Sequence, residues 1–216
     1  MKRDMTYLLN PTSPLDLHGK HDLVIVSPQI VGGRDCIRLT ECTNVRVIGG
    51  ICGKPVGTSA DTEDTEGHAV ILDKCVDCHV VGVMGYDCGG DAFNLYNSKQ
   101  CSVEWCVVSG VLPAKACAAI IDGPNGSRNL IANLDTGQSP GAKINICGGR
   151  NHSVRDVVLT GALGITGEYY PGATVIRPTV LRVTGPEIYV QKKSVIGLGL
   201  LASRFKFENY VSGDET

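Results

Sequence analysis

The stretch Ala69–Val83, AVILDKCVDCHVVGV, decides the fold. An alternating apolar strand runs into a tight polar turn, and a second apolar strand follows at once. The same plan stands upstream as Cys36–Gly50, CIRLTECTNVRVIGG, and the two align without a gap at an offset of 33 residues. A repeat on this scale is read before anything else, because it sets the whole architecture.

Working outward, one polar turn position serves as a register mark: Asp22, Asn44, Asp77, Ser102, Asn129 and Ser153. Asx and Ser side chains bond their own backbone at turns, and Asn and Asp tolerate left-handed geometry. An apolar residue follows each mark: Leu23, Val45, Cys78, Val103, Leu130 and Val154. Before each mark lies a strand with two inward positions. These are Leu15 and Leu17, Ile37 and Leu39, Val70 and Leu72, Phe93 and Leu95, Ala119 and Ile121, and Ile144 and Ile146. Such alternation predicts half-buried strands. A further copy without the mark is expected at Ala173–Thr184.

Strands this short, recurring mostly every 22–27 residues, cannot bury an apolar face alone. Stacked in parallel they share one aliphatic core. The sequence therefore predicts an all-β solenoid of about seven coils, a rod of roughly 30–35 Å. A leucine-rich repeat needs an L-x-x-L-x-L frame that is absent, and a propeller blade needs ~40 or more residues.

The chain has 216 residues, a net charge of −2 and a pI near 6.2, with 27 glycines and 5% aromatics. That balance gives no electrostatic case for nucleic acid or a membrane surface, and no run approaches the ~18 apolar residues of a span. The charged start MKRDMTYLLNPTSP lacks an apolar h-region, so no signal peptide is expected. Six of the ten cysteines sit inside strand patterns, where free cysteine behaves as a small hydrophobe. Cys75 and Cys78 form a lone CxxC, and strict alternation points them in different directions. No metal site or cofactor is expected.

The repeat resembles the right-handed single-stranded parallel β-helix of pectate lyases, polygalacturonases and phage tail spikes, over about Leu15–Thr184. Around it, residues 1–14 are expected to form an N-terminal cap or docking arm, 15–185 the β-helix, and 186–216 a C-terminal cap or oligomerisation segment. Trimers are common among β-helix spikes, so the resemblance implies a homotrimer. The insertion Gly53–His68 carries Asp61, Glu63, Asp64 and Glu66, a solvated loop without the ligand spacing of a calcium loop.

Enzymes of this fold work in a groove on the outer face of stacked strands. One polar column recurs there: Asp35, His68 and Asp91, each four residues before the second inward position. On successive rungs it forms a ladder with its carboxylates roughly 9–10 Å apart, near the upper end of an inverting glycosidase pair. Tyr86–Phe93, YDCGGDAF, faintly resembles the Gly-Asp-Asp of polygalacturonases, but the second Asp is Ala92. The other signatures of those enzymes are missing, and no aspartate cluster faces Arg38 or Arg46. Asn94, Tyr96 and Glu104 are expected to be exposed and able to bind sugars. Trp105 aligns with Val80 and Val47, which reads as core, and His79 shares a column with Val24, Arg46 and Glu104.

The expectation is a non-enzymatic virion protein: a small β-helix spike, fibre or decoration subunit of a phage. It would be made in the host cytoplasm, assemble with other virion proteins and possess a surface able to meet polysaccharide. The alternative is a polysaccharide lyase or glycoside hydrolase using Asp35, His68 and Asp91. A cellular carbohydrate-binding scaffold is a third reading.

Overall fold

A computed structural model describes residues 5–56, 67–110, 112, 116–161, 163–165, 175–176, 179–184, 188–190, 195–196, 199–201 and 207–208. The described chain is all strand and turn, with no helix, and its strand pairs are parallel. The pattern is compatible with a β-solenoid. The insertion acids Asp61, Glu63, Asp64 and Glu66 lie outside the described residues.

Three columns of strands run through the molecule. The first is a nine-stranded sheet in sequence order: Leu15–His18, Ile37–Thr40, Val70–Asp73, Phe93–Tyr96, Ala119–Asp122, Ile144–Ile146, Leu163–Ile165, Ile188–Val190 and Phe207–Glu208. The second begins with Thr6–Leu9 and includes His21–Val26, Thr43–Ile48, His79–Val81, Ser102–Glu104, Leu130–Ala132 and Ser153–Val158. The third holds Gln29–Val31, Ile51–Gly53, Met84–Tyr86, Val107–Ser109 and Asp135–Gln138. A narrow bridge column, Thr43, Val76, Lys99, Ser127 and Arg150, lies between the first two.

The inward pairs read from the sequence are in register. Leu15, Ile37, Val70, Phe93, Ala119 and Ile144 are successive partners in the first column. From Ile37 onward these residues and their inward neighbours are fully buried. Pairing continues past residue 185, where Ile188–Val190 and Phe207–Glu208 extend the first column. Thr6–Leu9 lies on the first rung of the second column, opposite Leu23–Val26.

The register mark holds for three rungs and then slips. Successive partners place Asp22, Asn44, Asp77, Gln100, Arg128 and Asn151 at one corner. All six are left-handed, with φ between 53° and 56°. Ser102, Asn129 and Ser153 are therefore not the turn residues. Asn44 Nδ2 donates to Asp22 Oδ1 at 2.6 Å along this corner.

The physical reason for the slip lies just inside the corner. The left-handed residue turns the next backbone N–H toward the core, where it needs an acceptor. Val45 N–H donates to Cys78 Sγ at 3.4 Å, and Cys78 N–H to Cys101 Sγ at 3.4 Å. Cys101 N–H donates to Asn129 Oδ1 at 3.0 Å, and Asn129 N–H to His152 Nδ1 at 3.2 Å. Each side chain thus accepts from the backbone one rung earlier. The column after the mark is an acceptor ladder rather than a run of aliphatics, so expecting Val103, Leu130 and Val154 there shifted the later rungs.

A parallel donor ladder stands on the other side of the corner. Cys42, Cys75 and Ser98 give their S–H or O–H to the carbonyls of Leu17, Leu39 and Leu72 at 3.4, 3.2 and 2.8 Å. Cys75 and Cys78 consequently both face the core, because the corner at Asp77 breaks strict alternation. All ten cysteines are free and buried.

Trp105 is not core. It occupies the corner column of Ser27, Gly49, Gly82 and Asn133, has φ 56°, and is 65% exposed. The two-residue slip that misplaced Ser102 also placed Trp105 opposite Val80, whose true partner is Val103.

Candidate functional site

Asp35, His68 and Asp91 do lie on successive rungs, immediately before the first column. Ile37–Val70 and Val70–Phe93 pairing carries that register back two residues. Cys117 stands on the next rung, two residues before Ala119.

Asp35 is the hub. It is 6% exposed. Its Oδ1 accepts the N–H of Gly67 at 3.0 Å, the N–H of His68 at 2.9 Å and Nδ1 of the His68 ring at 2.8 Å. Its Oδ2 accepts Nε of Arg38 at 2.9 Å and Nη2 at 2.7 Å. Five donors saturate one carboxylate, and both Arg38 nitrogens converge on the single oxygen Oδ2 in charge-assisted bonds. Arg38 thus has an aspartate facing it after all. Burial alone would push the Asp35 carboxyl up, but the His68 bonds and the His68 and Arg38 charges outweigh it and hold it down at about 2.

Asp91 differs. It is partly buried, and its Oδ1 accepts the Cys117 backbone N–H. Desolvation raises its pKa above the usual carboxylate range, against the opposing pull of His68, the Cys117 N–H and Lys143. The two carboxylates are thereby driven in opposite directions.

Asn94 is buried rather than exposed, at 1%. Its Nδ2 stands 3.5 Å from His68 Nε2, and its Oδ1 has no hydrogen-bond partner among the described residues. The outward positions of these first-column strands are covered, since Ile71 and Ile120 are buried too. Tyr96 is half-buried. Glu104 is half-buried and accepts the Ser102 hydroxyl at 2.7 Å. Asn94, Tyr96 and Glu104 therefore do not form one open sugar-binding surface.

One constellation escaped the sequence reading. Asp77 Oδ1 meets His79 Nε2 at 3.0 Å, and His79 Nδ1 meets Ser102 Oγ at 2.8 Å. His79 shares its column with Arg46 and Ser102, not with Glu104. The residue types and spacing are those of an activated serine. Three features oppose that chemistry. Ser102 is 3% exposed, its hydroxyl proton goes to Glu104, and its backbone N–H is held by Cys78 O at 3.0 Å. The Ser102 N–H is therefore not available to a tetrahedral oxyanion. The relay orders the outer surface of the second column. What sets His79 beside Ser102 is the left-handed corner at Asp77 and Gln100, a backbone state that side-chain alternation does not mark.

Among the described residues no group of three or more His, Cys, Asp or Glu side chains has the geometry to hold a metal ion. Comparison of the chain with protein-family models, with curated proteins and with solved structures finds no match.

Proposed function

We propose that this chain is a right-handed parallel β-helix of the pectate-lyase-like kind that serves as a structural, non-enzymatic element. The role is a small spike, fibre or decoration subunit of a phage virion, assembled as a trimer with other virion proteins and able to contact surface polysaccharide. The observation that supports a structural role is the state of Asp35. A carboxylate that is buried, saturated by five donors and held at about pKa 2 is built to tie rungs together. The virion assignment itself draws on the resemblance of the repeat to tail-spike rods.

The depolymerase reading draws on one observation, that the environments of Asp35 and Asp91 push their pKa values apart. Acid and base pairs are tuned in that way. A base must also reach substrate or water, and Asp35 has neither an open face nor a spare oxygen.

Light scattering on the purified chain tests the proposal. A particle of three 22.9 kDa subunits without polysaccharide-cleaving activity is the expected result. A monomer that cleaves an acidic polysaccharide, and loses the activity in Asp91→Asn, overturns it.

A further inference from the structure

We infer that the bridge column and its adjoining corner bind a tetrahedral oxyanion group, the chemistry of a phosphate or sulfate ester. A cavity of about 310 Å³ opens there, lined chiefly by Lys99, Gln100, Ser127, Arg128, Arg150 and Asn151. The register arranges these six residues as a lattice. Lys99, Ser127 and Arg150 are successive partners in the bridge column, and Gln100, Arg128 and Asn151 follow them at the left-handed corner. Cations therefore alternate with neutral hydrogen-bonding groups. Lys99, Arg128 and Arg150 thus form a triangle of positions around Ser127. Rungs lie ~4.8 Å apart, so the backbones of Lys99 and Arg150 are roughly 10 Å apart, a gap their long side chains can close over one bound group.

Nothing in the described structure neutralises this triangle. Lys99, Arg128 and Arg150 are exposed, and none of them takes part in the ion pairs among the described residues. No carboxylate lines the cavity. The nearest acid along the corner, Asp77, is engaged by His79. In a chain of net charge −2, three unpaired cations on adjacent rungs form a local field opposite to that of the whole.

The geometry selects the ligand. A lone carboxylate satisfies one guanidinium in a planar fork and leaves two cations unmet. A tetrahedral group directs oxygens toward all three. Single-stranded nucleic acid is disfavoured because no aromatic ring lines the cavity to stack a base. The inference stands apart from the virion reading, since it concerns another face and needs no oligomer.

Isothermal titration at low, constant ionic strength tests it with inorganic phosphate, sulfate, acetate and a thymidine oligonucleotide. Phosphate or sulfate should bind one per chain, at least tenfold more tightly than acetate, a gap of about 1.4 kcal/mol. Phosphate ahead of sulfate points to a phosphate ester as the source, and sulfate ahead to a sulfate ester. Arg128→Ala with Arg150→Ala should abolish the binding while leaving the urea midpoint unchanged, and Arg128→Lys should weaken it only partly. Acetate binding as tightly as phosphate, unchanged affinity in the double variant, or length-dependent oligonucleotide binding tighter than phosphate would overturn the inference.

Discussion

Asp35 and His68, on adjacent rungs, are joined twice: the Asp35 carboxylate receives both the backbone N–H and the ring Nδ1 of His68, at 2.9 and 2.8 Å. The same carboxylate holds Arg38. Removing it strands a buried ring and two backbone donors and takes one partner from the half-buried Arg38. Breaking a buried pair from one side typically costs about 3–5 kcal/mol. Asp35→Ala should fall in that range by urea unfolding, and Asp91→Ala, which strands one backbone donor, should cost about 1–2 kcal/mol. Equal losses for the two substitutions would contradict the hub role of Asp35.

Acid should weaken the fold in two windows. Burial lowers the His152 pKa from 6.5 to about 4, and the side chain is completely buried. Between those values the unfolded chain binds a proton that the native state refuses. Stability is therefore full above pH ~6.5 and falls by about 3 kcal/mol as pH drops to ~4. Asp35 acts lower. Its native pKa is depressed from 3.8 to about 2, so its contribution of about 2 kcal/mol is present above pH ~4 and lost as pH falls through 2. His152→Gln keeps an acceptor but cannot titrate. Its urea midpoint should no longer fall from pH 7 to 4.5, and a wild-type fall retained in that variant would remove His152 as the cause.

The single tryptophan offers a direct optical test of the corner register. Trp105 is 65% exposed at a left-handed corner that Gly49 and Gly82 occupy on the two rungs before it. Its emission should be solvent-exposed and readily quenched by iodide in the native state. A non-glycine residue in this region costs roughly 1–2 kcal/mol, partly offset by the entropy that glycine adds to the unfolded chain. Trp105→Gly should therefore be neutral or stabilising by up to about 1 kcal/mol. A blue-shifted, unquenchable emission, or a loss above about 2 kcal/mol, would put Trp105 back in the core.

The first-column strands were legible because alternation is a local signal: Leu39, Leu72 and Leu95 each stand two residues from another inward apolar residue. The Asp35–His68–Asp91 column was legible for the same reason, being counted from those strands. The corners were not. A left-handed residue is a backbone state, and Gln100, Arg128 and Trp105 adopt it without a sequence signature. Burial of Asn94 was also hidden, because period two assigns a face but not what covers it. The chemistry of Asp35 depended on Arg38 and Gly67 N–H converging on it, which the side-chain pattern alone does not encode.

Inside the second column, the acceptor ladder makes its own prediction. Cys101 Sγ takes the Cys78 N–H, and Asn129 takes the Cys101 N–H with Oδ1 while its Nδ2 donates to Ser98 O at 2.8 Å. On a purely apolar view of the core, Cys101→Val and Asn129→Leu are gains in hydrophobicity. On the ladder view each orphans buried backbone groups, at about 1–3 kcal/mol apiece. Cys101→Val should lose about 1 kcal/mol or more, Cys101→Ser should lose less because a hydroxyl also accepts, and Asn129→Leu should lose most, since it leaves the Cys101 N–H unmet and takes from the Ser98 carbonyl one of its two donors, the other being the Ser127 N–H. Cys88 and Cys106 should meanwhile resist a thiol reagent until unfolding, because desolvation pushes both up to about 12 and reactivity needs the thiolate. The measurements are urea midpoints of the three variants and the reagent's reaction rate across the unfolding transition. Stabilisation by Cys101→Val would show that these cysteines fill space and nothing more.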